Sequence, residues 1–84
     1  MNEGKGKELI SIGLESLVQR ERVVVIARPD TAPIRRLIKR YEREGKLVDL
    51  TRGRKARAAI ITDAGFIILS PLRTKTIAAR FLEG

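Results

Sequence analysis

The chain has 84 residues, enough for one small domain with a modest core, and at this size association with further copies is a common source of stability. Apolar residues make up 43% and charged residues 33%, a globular balance, while the lack of Cys and His removes disulfides, thiol nucleophiles, thiolate zinc sites and imidazole chemistry together. A formal charge of +8 and a pI of about 10.9 predict an anionic partner, nucleic acid before an anionic membrane surface, and twelve of the eighteen basic residues are Arg, whose planar fork matches phosphate oxygens.

Residues 1–8 read as a flexible tail. Gly4-Lys5-Gly6-Lys7 lacks the spacing and the Ser/Thr of a phosphate-binding loop, and no apolar run reaches the length of a signal core or a membrane span, so a cytoplasmic protein is expected. A single domain should then occupy 9–84. Leu9-Ile10-Ser11-Ile12 is a short apolar run ended by Gly13, after which Leu14, Leu17 and Val18 have the spacing of a helical turn or bent connection. Val23 to Ala27 is the longest β-branched run and predicts a central strand buried on both faces, with Arg20 and Arg22 just before it.

Pro29-Asp30-Thr31-Ala32-Pro33 is a helix start: Asp30 or Thr31 can cap free amides, and Pro33 falls in the first turn, where its missing N–H does no harm. Ile34, Leu37, Ile38 and Tyr41 then give one apolar face over about three turns, and Gly45 suits the left-handed residue past the end. The opposite face carries Arg35, Arg36, Lys39, Arg40 and Arg43, which fits a groove-reading helix and a solvated back face equally well.

Between two β-prone runs, Leu47 to Leu50 and Ala58 to Ile61, lies Thr51-Arg52-Gly53-Arg54-Lys55-Ala56-Arg57, a basic stretch with no acid in it. The two runs are expected to fold back on each other as a hairpin, with Gly53 turning the tip and Arg52, Arg54, Lys55 and Arg57 pointing outward. Crowded like charges are costly, so the arrangement makes most sense opposite a polyanion. A second hairpin should follow, Ala58–Thr62 and Phe66–Leu69 around Asp63-Ala64-Gly65. A last short helix is capped by Thr74 or Thr76, with Ile77, Ala78, Phe81 and Leu82 on one side.

Nothing in the chain pairs a nucleophile with a base, sets two carboxylates for acid-base work or spaces metal ligands, so no enzyme, no cofactor and no metal are expected. Asp30 reads as a cap, Asp49 as an outward or Arg-paired strand residue, and Asp63 as a turn opener. With three aromatics there is no base-stacking platform, which leaves a reader of the duplex backbone. An RNA-binding accessory protein and a basic membrane-surface or protein-interaction module are the alternatives.

The residues also resemble those of the bacterial extracellular-matrix regulatory protein RemA family, over about Ile10 to Arg80. The likeness rests on Ile12-Gly13, Arg22, Ala32-Pro33-Ile34 with Arg36, Gly45 through Asp49, Thr51, Gly53-Arg54-Lys55-Ala56-Arg57, Asp63, Leu69-Ser70, and Thr76 with Arg80. The resemblance implies an α+β fold, with a small antiparallel sheet of four to five strands and two helices, related to LytTR domains. It further implies a transcriptional regulator of the biofilm-matrix type that forms a homo-oligomeric ring, an octamer being one size, and binds duplex DNA around it. Carried over by motif, Arg22, Arg54 and Lys55 are DNA-contacting positions and Pro33 an assembly position. The family's two Arg and a Thr are here Arg54-Lys55-Ala56, its Gly-Asn is Glu15-Ser16, and its later His is Phe66.

Overall fold

The computed structural model describes residues 8–83. In chain order the elements are β1 (Leu9–Gly13), β2 (Ser16–Gln19), a single 3-10 turn (Arg20–Arg22), β3 (Val23–Ala27), α1 (Ala32–Arg43), β4 (Leu47–Asp49), β5 (Ala58–Thr62), β6 (Ile67–Ser70) and α2 (Thr74–Glu83). The fold is α+β with two helices, as expected, but the strands divide into a two-stranded sheet, β1-β2, and a four-stranded sheet of order β3-β5-β6-β4. The larger sheet is mixed: β5 runs antiparallel to both β3 and β6, whereas β4 and β6 are parallel. Of the expected tail only Glu8 is described. Its carboxylate accepts from Arg20 Nε at 2.8 Å and its carbonyl from Arg20 N at 2.9 Å, which extends the first hairpin by one residue.

Side chains alternate across the four-stranded sheet, so each face has its own core. On one face Ala59, Ile67 and Leu69 meet the apolar stripe of α1, Ile34, Leu37, Ile38 and Tyr41. On the other, Ala58 and Ile60 lie under the β1-β2 hairpin, through Ile10, Ile12 and Val18, and under α2, through Ile77. Ile12, Ile60, Ile67 and Ile77 are all within 1% of complete burial, and such a side chain contributes roughly 1.5–3 kcal/mol each. Ser70 fastens the layers together. Its buried hydroxyl donates to the Ile12 carbonyl at 2.7 Å and accepts from Leu72 N at 3.0 Å.

Four expectations need correction. The segment after Gly13 is neither helical nor a bend: Leu14 and Glu15, with φ of 53° and 60°, form a two-residue turn that closes the β1-β2 hairpin. β3 is not a central strand buried on both faces but an edge strand paired only with β5, and it leaves Val24 64% and Val25 40% exposed. β4 and β5 do not form a hairpin, because β6 lies between them; residues 50–57 cross over its end instead. Leu82 is 86% exposed and takes no part in the apolar side of α2.

The helix ends follow their sequence signals in part. Pro33 is in the first turn of α1, but Thr31 makes no side-chain cap bond, and the Asp30 carboxylate is engaged by Arg28 at 2.7 Å. At the other end Gly45, at φ 74°, sends its N–H to Glu42 O while Lys46 N reaches Tyr41 O, a paired closure that depends on the left-handed residue.

Candidate nucleic-acid interface

The crossover from β4 to β5 is a short basic arch held at both feet. Leu50 N donates to Leu69 O and Arg57 N to Ser70 O, so each foot is bonded to the carboxyl end of β6. Within the arch, Arg54 N donates to Thr51 O, and Arg52 and Gly53 have φ of 55° and 83°, the two successive left-handed residues of a type I′ turn. The sequence signal for Gly53 holds, and Arg52 shares its conformation.

Thr51 is the buried pivot of the arch, only 4% exposed. Its N–H and hydroxyl donate to one Asp49 carboxylate oxygen at 2.9 and 2.6 Å. These bonds, the hydroxyl's first, hold the Asp49 carboxyl below its ordinary pKa against a small opposing effect of burial. Asp49 therefore stays ionised as a structural acceptor and is not paired with an Arg. An Asp two residues before a Thr is a local turn signal, so this lock was legible in principle. Ala56 adds an apolar anchor by packing into the α1 cluster.

Between these fixed points Arg52, Arg54, Lys55 and Arg57 are all exposed. Among the described residues the ion pairs are Arg20–Glu8, Arg22–Asp63, Arg28–Asp30 and Lys46–Glu44, and none uses a cation of the arch.

Arg22 lies elsewhere. Val23 is paired with Thr62 and Ala27 with Ala59, so Arg22 sits at the β5-β6 turn, while the arch joins β5 at its opposite end, about 13 Å of strand away. There Arg22 Nη1 is 3.6 Å from an Asp63 carboxylate oxygen, and its carbonyl accepts from Asp63 N. Arg20 is likewise committed, to Glu8 and over the Phe81 ring at 5.6 Å. Neither residue joins the arch within one chain. Pro33 is exposed at the second position of α1.

What the fold does bring to the arch is a set of cations that the sequence scatters. Arg28, from the turn between β3 and α1, and Arg73 and Lys75, at the start of α2, line a cleft of about 260 Å³ together with Lys55 and Arg57. Asp30 is the one acid in it, and it already accepts from Arg28. That bond lowers the pKa of the Asp30 carboxyl, with the positive charge of Lys55 a smaller contribution in the same direction. No local pattern links residues 28, 55, 57, 73 and 75; only the sheet order does.

No group of metal-binding side chains occurs among the described residues, and no helix there is long and apolar enough to cross a membrane. The family model described as extracellular matrix regulatory protein A-like matches residues 9–81. The chain is 47% identical over 75 residues to a regulatory protein of Fervidobacterium nodosum, an alignment covering 89% of this chain and 81% of that one. It is 49% identical over 74 residues to one of Synechococcus sp. strain JA-3-3Ab, covering 88% and 83%, and 47% identical over 75 residues to one of Thermotoga maritima, covering 89% and 82%. With a family match over nearly its full length and relatives at this identity, the chain belongs to the RemA-like family of extracellular matrix regulatory proteins.

Proposed function

We propose that this protein is a non-enzymatic transcriptional regulator that binds the backbone of duplex DNA through the β4-β5 arch and does so as a closed homo-oligomer. The observation that carries the reading is the arch itself. Its ends and its pivot are fixed by backbone bonds and a buried Thr, yet its four cations reach solvent and none forms an ion pair among the described residues. A preorganised cluster of this kind loses little entropy when phosphates displace its counterions. The regulatory names of its relatives support the same reading.

Self-association is supported by the two edges of the sheet. At one, β3 exposes Val25 and, near the exposed Leu82, Val24; at the other, Leu17, Val48 and Phe66 line a shallow apolar groove. Unlike patches on opposite edges pair head to tail, and such pairing closes into a ring when the rotation allows. An octamer is one size compatible with this pattern.

Arg54→Ala with Lys55→Ala tests the reading. Both side chains are exposed, so fold and native mass should be kept, while duplex affinity falls at least tenfold and the salt dependence flattens by about two phosphate contacts. Structured RNA and anionic vesicles, titrated in parallel, separate the alternative partners. A double variant that binds duplex DNA like the parent would sink the arch as the binding element.

A further inference from the structure

We propose that the cleft beside the arch, formed by Arg28, Lys55, Arg57, Arg73 and Lys75, is a second seat for a DNA backbone phosphate, so that the interface extends from the arch to the start of α2. The inference rests on the duplex-binding reading above and adds three residues to it.

Five cations from three separate segments face one concavity whose sole acid, Asp30, is bonded to Arg28 at 2.7 Å. Holding that many like charges together is unfavourable unless an anion is shared among them. The first turn of α2 contains no acid that could serve as an internal counter-charge. Three of the five are guanidinium groups, suited to paired bonds with phosphate oxygens, and Lys55 and Arg57 belong to the arch as well, so one strand of backbone can pass from the arch into the cleft.

The lining also selects the ligand. No aromatic ring lines the cleft to stack a base. A phosphate group fits this chemistry without its nucleoside. The Asp30–Arg28 pair then acts as a restraint, since the carboxylate holds one guanidinium and repels the incoming anion.

The test uses the whole chain in its native assembly, with a duplex of one fixed length titrated over a range of salt. Arg73→Ala with Lys75→Ala removes two exposed side chains and should weaken binding about tenfold, lowering the salt slope by about one phosphate contact per subunit engaged. Asp30→Asn should change affinity in the opposite direction. Arg40→Ala with Arg43→Ala, in the last turn of α1, removes the same charge outside the cleft and should have a much smaller effect. Equal losses from the two double variants would show that only total charge counts and would overturn the seat.

If Arg54→Ala with Lys55→Ala abolishes binding while the Arg73 and Lys75 double variant keeps the parent's affinity and slope, this inference falls and the arch stands. Inorganic pyrophosphate supplies a further arm. Amide shifts at Thr74 to Thr76 on adding pyrophosphate, in a protein that binds no duplex, would overturn the backbone seat and reassign the cleft to free phosphate.

Discussion

Thr51 is the buried pivot of the basic arch, and its side chain adds to the backbone bonds that hold both feet. Thr51 has its hydroxyl and its amide on one oxygen of Asp49, at the point where β4 ends and the left-handed turn begins. In Thr51→Val the shape is kept and the hydroxyl is lost. Removing that bond should cost about 1 kcal/mol in stability and widen the distribution of arch conformations. It should also let the Asp49 pKa rise toward its ordinary value, since the hydroxyl is the largest cause of its depression. The sign follows from linkage: a carboxyl depressed in the folded state stabilises above its unfolded pKa, and that contribution disappears as pH falls through the folded value. The stability gap between parent and variant should therefore be full near neutrality and shrink below about pH 4, by a small amount because Asp49 is largely exposed. Carboxyl titration by NMR, with denaturant unfolding at several pH values, checks both parts. An Asp49 pKa unmoved in the variant would show that the hydroxyl does not set it.

Arg22 raises the complementary question. Its distance from the arch means that a duplex touching both within one subunit must span the sheet, or that Arg22 acts where subunits meet. If it contacts phosphate, Arg22→Ala should lower the salt slope by about one contact while stability barely changes, because its partner Asp63 is exposed and 3.6 Å away. An unchanged slope would leave Arg22 as a clamp on the β5-β6 turn and nothing more.

Among the elements, the pieces that sequence reading located well are those whose signals are local. The apolar period and Gly45 outline α1, and the Asp63-Ala64-Gly65 turn locates the β5-β6 hairpin. Both depend on residues within a few positions of one another. The elements misjudged are those whose place is set by strands far away. Val23 to Ala27 has the composition of a buried strand, yet Val23 and Ile26 pack into the cluster under the β1-β2 hairpin while the α1 cluster includes no β3 residue, and β3 remains an edge. The arch was legible as basic and turned at Gly53, but its neighbours were not, because inserting β6 between β4 and β5 is a long-range choice. Leu14 and Glu15 give no turn signal; their left-handed backbone is imposed by the pairing of Ile10 with Val18 on either side.

The β1-β2 hairpin packs on the sheet through Ile10, Ile12 and Val18 and is tied to it by one buried polar contact. Ser70 is fully buried, gives its proton to Ile12 O and receives one from Leu72 N. Ser70→Ala strips partners from both backbone groups in a place short of water, which should cost about 2–4 kcal/mol. Arg80 also ties α2 to β1, through Ser11 O at 3.2 Å, so the hairpin should loosen without α2 separating from it. Hydrogen exchange in the Ser70 variant should therefore accelerate in β1 and β2 more than in β5. Uniform acceleration would mean that the hairpin and the sheet open as one unit.

On the proposed reading, charge and assembly become one property of the whole molecule. One subunit would offer a handful of phosphate contacts, and nonspecific binding of that kind is weak, on the order of 10⁻⁴ to 10⁻⁶ M. When copies stand side by side, each further arch that reaches the same duplex binds at high effective concentration, and affinity rises with no new type of contact. We propose that assembly in turn depends on the exposed edge of β3, where Val24 is 64% exposed, and on Pro33, exposed in the first turn of α1. A lysine on an open strand edge discourages further pairing, so Val24→Lys should lower the native mass while the arch, on the crossover past β6, stays intact. Pro33→Ala should act in the same direction with a smaller effect, since Ala is well tolerated in a first helical turn. Both variants should bind a duplex long enough for one subunit nearly as the parent does, and both should lose the parent's gain on duplexes long enough for several. Mass and affinity measured together at fixed salt decide the matter. If affinity per site is the same at every length, or if a dissociated variant binds long DNA as tightly as the parent, then each arch works alone and the assembly serves some other purpose.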